Sequence, residues 1–373
     1  MNAYIMKKHK IRVLADMSFE KGQATKSNGK GISSEVEEHR LFQSEEYVPK
    51  IKIIGVGHAG NKLTEKLLDY GIPESLLVNV YLNGVSYISS RIKGSITICN
   101  HSMRGLSWCG NPDVPRECAI ESEDNLKNGI SNCNTILIMA GLGHSIGTGV
   151  SPEIARIFKE MNPSNRVISF VTLPFSAEGQ AFMNYAIEGF EDIKKYSNFI
   201  IVIPNNRVLK LYRRYPLDQI FQVCDNIDAI AVAALYDSIK QNSDILNFID
   251  SMKSNKKVGI SMLAFGDSVE STEDALDKAF KNPLNGIDLR EAIGLIALLY
   301  YRDNIEEGEI KSTLNKIRKK LNPSAFLSFN SIRDEKIENK IRVVLLPIAI
   351  CDGQTFDRKR LEKEITWDIS KSV

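Results

Sequence analysis

Along residues 50–205, short apolar runs rich in Ile and Val alternate with segments whose apolar positions recur every three or four residues. The runs IKIIGVG, LLVNVYL, ITIC, TILIMAG, RVISFVTLPF and FIIVIPN predict strands, and runs this continuous suit strands buried on both faces of a parallel sheet. Between them NKLTEKLLDYG, PRECAIESEDNLKNG, a stretch starting at Pro152 and EGQAFMNYAIEGFEDIKKY carry helical spacing, so helices cover both sides. A longer period follows. Leu217, Ile220, Phe221, Cys224, Ile227, Ile230, Ala231, Ala234, Leu235 and Ile239 predict one helix of about 25 residues, roughly 38 Å long, able to join two domains. Beyond it KVGISMLAFGD, the helical STEDALDKAFKN, DLREAIGLIALLYY, the helical IEEGEIKSTLNKIRKKLN, AFLSFNSI and KIRVVLLPIAI read as a smaller α+β domain.

The predicted fold is α/β: a Rossmann-like domain with a mostly parallel sheet over 50–215, a long central helix over 216–243, and an α+β domain over 244–350. Residues 1–49, rich in Lys, Glu, Ser and Gly, read as a flexible extension. Residues 351–373 read as a charged tail with Trp367 in EITWDISKSV, either a frayed end or a docking peptide for a partner.

Composition narrows the class but not the activity. With 373 residues, 43% hydrophobic and 25% charged, the chain resembles an ordinary globular protein of two domains. A formal charge of +2 without long basic runs argues against a nucleic-acid partner. Neither a bilayer-spanning run nor a convincing signal peptide stands out, which predicts a cytoplasmic protein without direct membrane insertion. The six cysteines form no CxxC pair, so reduced thiols are expected; Cys99, His101, Cys109 and Cys118 are too irregularly spaced for a zinc site.

Two glycine-rich stretches carry the candidate chemistry. Gly55-Val56-Gly57-His58-Ala59-Gly60 lies between a predicted strand and helix, as a dinucleotide-binding G-x-G-x-x-G does. The next strand, however, ends at Asn83-Gly84 and lacks the acid that would hold a ribose. A second such turn, AGLGHSIGTGVSP (140–152), follows another strand. Two turns feeding two helix N-termini can surround a triphosphate with backbone N–H donors. No G-x-x-x-x-G-K-[ST] is present, which argues against a P-loop enzyme. Taken singly, each turn is as well explained by tight strand-to-helix packing. On the long helix Phe221 and Asp225 share a face, a ring to stack on a base and a carboxylate to accept from guanine N1–H and its 2-amino group.

These residues resemble the tubulin/FtsZ superfamily, FtsZ more than tubulin, over roughly residues 50–350. IGVGHAGNK resembles its first nucleotide loop, MRGLSWCGNPDVP its RGL-GxNP segment, AGLGHSIGTGVSP its glycine-rich signature, VTLPFSAEG its TxPFxxEG stretch, IPNNRVL its IPN strand end, and FQVCDN the base-binding turn of the central helix. The resemblance implies GTP or GDP held by Gly57, His58, Ala59, Gly60, Asn61, Lys62, Asn83, Gly110, Gly143, His144, Ser145, Ile146, Gly147, Thr148, Gly149, Glu178, Asn205, Phe221 and Asp225, with Mg2+ on the phosphates and no dedicated protein metal site. It also implies head-to-tail filaments in cell division or cell shape, acting in the cytoplasm at the division site. A tail-bound membrane adaptor would be a further partner. A loop matching ILNFID would bring Asp250, with Asn247 at the preceding acid, over the γ-phosphate of the next subunit. Some positions depart from the pattern. His144, Ser145 and Ile146 replace Gly, Gly and Thr, with backbone strain expected above all at Ile146; Asn247 replaces an acid, Phe182 an Arg, and Tyr81 an Asn. They open the alternative of an FtsZ-like nucleotide binder with weak or no turnover, serving as a regulatory or structural filament protein.

Overall fold

The computed structural model describes residues 50–82, 90–99, 110–212, 214–254, 257–351 and 358–365. The first half is a run of strand–helix units: β1 (Ile51–Val56), α1 (Gly57–Asp69), β2 (Leu77–Leu82), β3 (Ser95–Ile98), α2 (Asp113–Glu121), α3 (Glu123–Gly129), β4 (Thr135–Gly141), α4 (Ser145–Met161), β5 (Arg166–Leu173), α5 (Gln180–Tyr196), β6 (Phe199–Pro204) and α6 (Asn205–Tyr212). The central helix α7 (Leu217–Gln241) leads to α8 (Asp244–Ser254), β7 (Gly259–Ser261), β8 (Ala264–Ser268), α9 (Thr272–Lys281), β9 (Gly294–Tyr301), α10 (Glu307–Lys320), β10 (Phe326–Arg333), β11 (Ile341–Ile350) and α11 (Arg358–Ile365).

One sheet runs through the molecule in the order β10-β9-β11-β7-β6-β5-β4-β1-β2-β3, with β8 also pairing with β11. From β7 to β3 all pairs are parallel, whereas β11 runs antiparallel to β7, β8 and β9. The three residues of β7 join the halves: Ser261 pairs with Ile201 of β6 and Ile348 of β11. The apolar run KVGISMLAFGD is therefore two strands, because β11 is long enough to pair with both while only the first also reaches β6.

Two cores fill the two faces of the sheet. On one side α2, α3, α4, α5, α9, α10 and α11 pack through residues such as Cys118, Leu126, Ile154, Phe190, Leu276, Ile317 and Leu361. On the other, α1, α6, α7 and α8 pack through Leu67, Val208, Ile227, Leu235 and Ile249. The periodic positions of α7 are buried from Ile220 to Ile239, with one exception: Phe221 is 46% exposed.

Several expectations need correction. The helix expected from Pro152 begins at Ser145, seven residues earlier, and Pro152 lies inside it; the first turn of α4 is the glycine-rich stretch itself. PRECAIESEDNLKNG is two helices broken at Ser122, whose hydroxyl accepts from the Cys99 amide. ILNFID is not a loop but part of α8, since Ile245, Leu246 and Ile249 recur at helical spacing and are buried. Cys99 and Cys118 form a disulfide, Cα atoms 4.5 Å apart, where reduced thiols were expected. Nothing in their spacing signals it, because the end of β3 and α2 meet only in the fold. Within the charged C-terminal tail Arg358–Ile365 is helical and buries Leu361; EITWDISKSV from residue 366 on lies outside the described residues. The extension 1–49, His101, Cys109 and Trp367 lie outside the described residues.

Gly60 and Gly147 allow the helix starts to reach the strand ends. A Cβ on Gly60 would lie 2.2 Å from the Met139 carbonyl oxygen, and one on Gly147 would lie 2.1 Å from that of Gly141. Gly60→Ala should destabilise the fold by about 1–3 kcal/mol, because backbone rather than a flexible side chain must yield. A urea unfolding midpoint equal to that of the parent would contradict this.

Candidate functional site

In the order β3-β2-β1-β4-β5-β6, chain direction across the sheet reverses between β1 and β4, and in open α/β sheets ligands bind beyond the C-terminal strand ends at that point. Both glycine turns sit there. Positive φ falls on Gly57 (+71°) and Gly143 (+103°), the two positions where the chain leaves its strand. His144 is extended, with φ −93° and ψ 152°, and Ser145 and Ile146 open α4, so the expected strain at 144–146 is absent. Glycine at 143 takes the left-handed conformation and leaves its successors in ordinary helix geometry. The two turns touch each other: a Cβ on Gly57 would lie 3.3 Å from the Gly147 nitrogen, and one on Gly141 would lie 3.1 Å from Ala59 Cβ.

Neither helix start is capped by a side chain. The first-turn amides of α1 (Gly57 to Ala59) and α4 (Ser145 to Gly147) have no acceptor within their own helices, and both helix dipoles are positive at this end. The Gly143 amide is engaged differently, donating to Thr148 Oγ1 at 2.8 Å and fixing the turn from beneath. Gly149 lies against α2, where a Cβ would stand 2.1 Å from the Pro112 carbonyl, so its role is packing. Gly110 is exposed with open space around it, and Asn83 lies outside the described residues.

The start of α7 meets these turns. Asp225 pairs with Lys62 Nζ at 2.5 Å, one turn into α1. Exposed Phe221 packs edge-on against Phe175, with ring centroids 5.4 Å apart, in the loop after β5. The structure thus brings Phe221, Asp225 and Lys62 to the rim of the glycine turns. Asn61 donates to the Val80 carbonyl at 3.1 Å while its Oδ1 is buried without a partner, and Asn205 Oδ1, at the start of α6, is also buried without one. These orphaned acceptors suit a ligand that brings N–H or O–H donors, as guanine and ribose do.

Glu178 is fully engaged within the chain: Oε1 accepts from the Phe175 amide at 2.7 Å and Oε2 lies 2.8 Å from His144 Nε2. The Phe182 ring sits 4.8 Å from the His144 ring, so His144 stands near both Glu178 and Phe182. Asn206, beside Asn205, accepts from the Ser176 amide at 3.0 Å and ties the α6 start to the same loop. Tyr81 receives a hydrogen bond from Asn79 at 3.0 Å beneath the turn.

Asn247 and Asp250 are nowhere near these turns. Asp250 accepts from Arg166 at 2.7 Å, and Arg166 opens β5, in register with Thr135 at the start of β4. Six residues of strand, about 20 Å, separate that end from Gly141. Asn247 is exposed on the same helix face, one turn earlier. Arg166 as the partner of Asp250, and Lys62 as that of Asp225, were not predicted, because neither pairing is close in sequence. A cavity of about 450 Å3 lined by Arg207, Lys359, Arg360, Lys363 and Glu364 is the seat of α11, since Glu364 and the carbonyls of Pro283 and Asn285 take up the Arg207 guanidinium. Among the described residues no group of three or more His, Cys, Asp or Glu could hold a metal.

Residues 50–213 match the Tubulin/FtsZ family, GTPase domain. The chain is 30% identical over 321 residues to cell division protein FtsZ 1 of Methanocaldococcus jannaschii, covering 84% of this chain and 88% of that one, and 28% identical over 343 residues to cell division protein FtsZ 1 of Archaeoglobus fulgidus, covering 91% and 92%. An FtsZ dimer of M. jannaschii superimposes with a TM-score of 0.75 at 26% identity, over 85% of this chain and 92% of that one. CetZ2 from Haloferax volcanii, in a GTPγS-bound protofilament, shares the fold with a TM-score of 0.66 at 15% identity, over 86% and 99%. The chain belongs to the tubulin/FtsZ family. No helix among its described residues is long and apolar enough to cross a membrane.

Asp228, one turn beyond Asp225, is buried with Oδ1 unpartnered, and burial first, then the nearby Asp225 charge, pushes its carboxyl well above the usual range. The folded state therefore holds a proton that the unfolded chain releases near pH 4, so stability is lost as pH rises above that value. Asp228→Asn, which mimics the protonated form, should be more stable than the parent at pH 8 by about 1–3 kcal/mol and gain little at pH 4. Urea midpoints at the two pH values test this; a pH-independent difference would refute it.

Proposed function

We propose that the chain binds GTP and GDP at the C-terminal ends of β1 and β4, assembles head to tail with copies of itself, and hydrolyses GTP at the junction between subunits in cell division or cell shape. The observation that carries this reading is the polarity of the molecule. The glycine turns with Phe221 and Asp225 crown one end of the sheet, and Asp250 stands about 20 Å away at the other, where it can serve only the nucleotide of a second copy. Contacts of this heterologous kind repeat without closing and give filaments. Such a filament would act in the cytoplasm at the division site, with the C-terminal tail recruiting a membrane adaptor.

In this reading the first-turn amides of α1 and α4 hold the phosphates, Phe221 stacks on the base, and Asp225 accepts from the guanine edge once Lys62 yields it. Magnesium would supply positive charge against the phosphates; among the described residues no cluster of side chains would hold it by itself. Asp250 polarises the water that attacks the neighbouring γ-phosphate. A second reading, a nucleotide binder with weak turnover, is favoured by one contact. Arg166 neutralises Asp250 within the same chain, and Asn247 adds no second carboxylate.

Light scattering should rise when GTP and magnesium are added. Asp250→Ala should then lower phosphate release at least about tenfold while leaving GTP affinity within about twofold, since its target belongs to another subunit. Release already at background in the parent, with binding intact, would establish the second reading. Phe221→Ala should weaken GTP binding by about tenfold or more through lost stacking; unchanged titration curves would place the base elsewhere.

A further inference from the structure

The end of the sheet away from the glycine turns is built around one ion pair. Arg166, the first residue of β5, donates through Nε to Asp250 Oδ2 at 2.7 Å, and its Nη2 lies 2.7 Å from the same oxygen. Both side chains reach the surface, Asp250 at 37% and Arg166 at 16% exposure, so a second molecule can meet them. Two lysines stand beside the pair. Lys159, in the last turn of α4, donates to the Asn165 carbonyl, and Lys253, one turn beyond Asp250 on α8, donates to the carbonyls of Lys195 and Ser197 at 3.3 and 3.1 Å. Burial first, then the Lys253 and Arg166 charges against that of Asp250, push the Lys159 ammonium down to about 8. Three cations thus share one carboxylate, and Asn247, one turn before Asp250, adds no charge.

The packing of α8 does not account for this cluster. Ile245, Leu246 and Ile249 already bury one face of the helix, and an excess of cations at one end repels itself. Resting on the head-to-tail hydrolysis proposed above, we propose that Arg166 acts on the neighbouring subunit as a cationic finger: aimed by Asp250, its guanidinium contacts the γ-phosphate of that subunit's GTP and stabilises the charge that develops there.

The chemistry calls for such a group. A carboxylate brought to a triphosphate meets like charge, and Arg166 offsets that repulsion at the oxygen it touches. In hydrolysis the water oxygen bonds to the γ-phosphorus, the bond to the β–γ bridging oxygen breaks, and GDP leaves with that electron pair; both water hydrogens end on the released phosphate. Negative charge grows meanwhile on the bridging and γ oxygens, and a guanidinium, whose planar fork matches phosphate, stabilises it. If Arg166 only neutralises the acid, removing it speeds turnover. If it also reaches the phosphate, removing it slows turnover.

Phosphate release by Arg166→Gln, which removes the charge but keeps amide donors for Asp250, tests this. Release should fall at least about tenfold, with GDP affinity and GTP-dependent light scattering staying within about twofold of the parent. Arg166→Lys should recover part of the loss. A mixture of Arg166→Gln with Phe221→Ala/Asp225→Ala, whose own site binds GTP poorly, should release phosphate faster than the two chains do separately, because the second lends its Arg166 to the GTP of the first. Release by Arg166→Gln at or above the parent rate would overturn the proposal and leave Arg166 as a restraint on Asp250. A loss that comes with lost assembly, or one that the mixture does not relieve, would overturn it too and reduce Arg166 to a structural tie between β5 and α8. Background release by the parent itself, with GTP bound, would overturn the hydrolysis reading as well.

Discussion

Everything at the candidate site depends on how closely two helices approach the end of the sheet. Without a side chain at Gly60 and Gly147, the first turns of α1 and α4 come against the carbonyls of Met139 and Gly141. Any Cβ there would push the helix starts apart. That approach places two sets of unpaired amides and two positive dipole ends beside one another. Much of the glycine in these turns is therefore a packing requirement, and the candidate anion site follows from it: helix starts forced this close to a strand end leave their amides facing the same small space.

The central helix couples this space to the rest of the molecule. Its first turns carry Phe221 and Asp225 to the rim, and its later turns reach the second half of the sheet, where Asp237 accepts a hydrogen bond from the Tyr300 hydroxyl at 2.9 Å. Burial pushes the Asp237 carboxyl up to about 6, with the Tyr300 bond opposing the shift. Polar groups thus sit on a helix whose remaining face is apolar, and they fix its position along the sheet more narrowly than non-directional apolar packing would. The short strand β7 does the same for the sheet, since three residues pair with both neighbours and join the parallel and antiparallel parts.

Departures from the family pattern concentrate where charge matters. His144 stands near Glu178 and Phe182, so that edge of the site has an imidazole where the resemblance implies a guanidinium. At the far end Asp250 remains but is held by Arg166, and Asn247 is polar without charge. Phe221 and Asp225 match the family pattern, while positions 144–146, 182 and 247 differ from it. The residues proposed for binding and those proposed for turnover thus lie about 20 Å apart along the strands.

Periodicity in the sequence determined most of the fold. Alternating buried strands and amphipathic helices gave the parallel sheet, and a sustained period of three to four gave α7 over Leu217–Gln241. Its limits are local and physical. Apolar spacing could not distinguish Phe221, exposed at the edge of the stripe, from its buried neighbours, nor see that ILNFID buries Ile245, Leu246 and Ile249 as a helix. It placed the start of α4 at a proline, although glycines at the preceding turn begin the helix sooner. Only the tertiary structure decided which side chains meet: Lys62 with Asp225, Arg166 with Asp250, His144 with Glu178, and Cys99 with Cys118. Those partners are between 19 and 163 positions apart along the chain. A short-range hydrophobic pattern records how each segment is buried, but contacts between segments depend on how the sheet orders its strands.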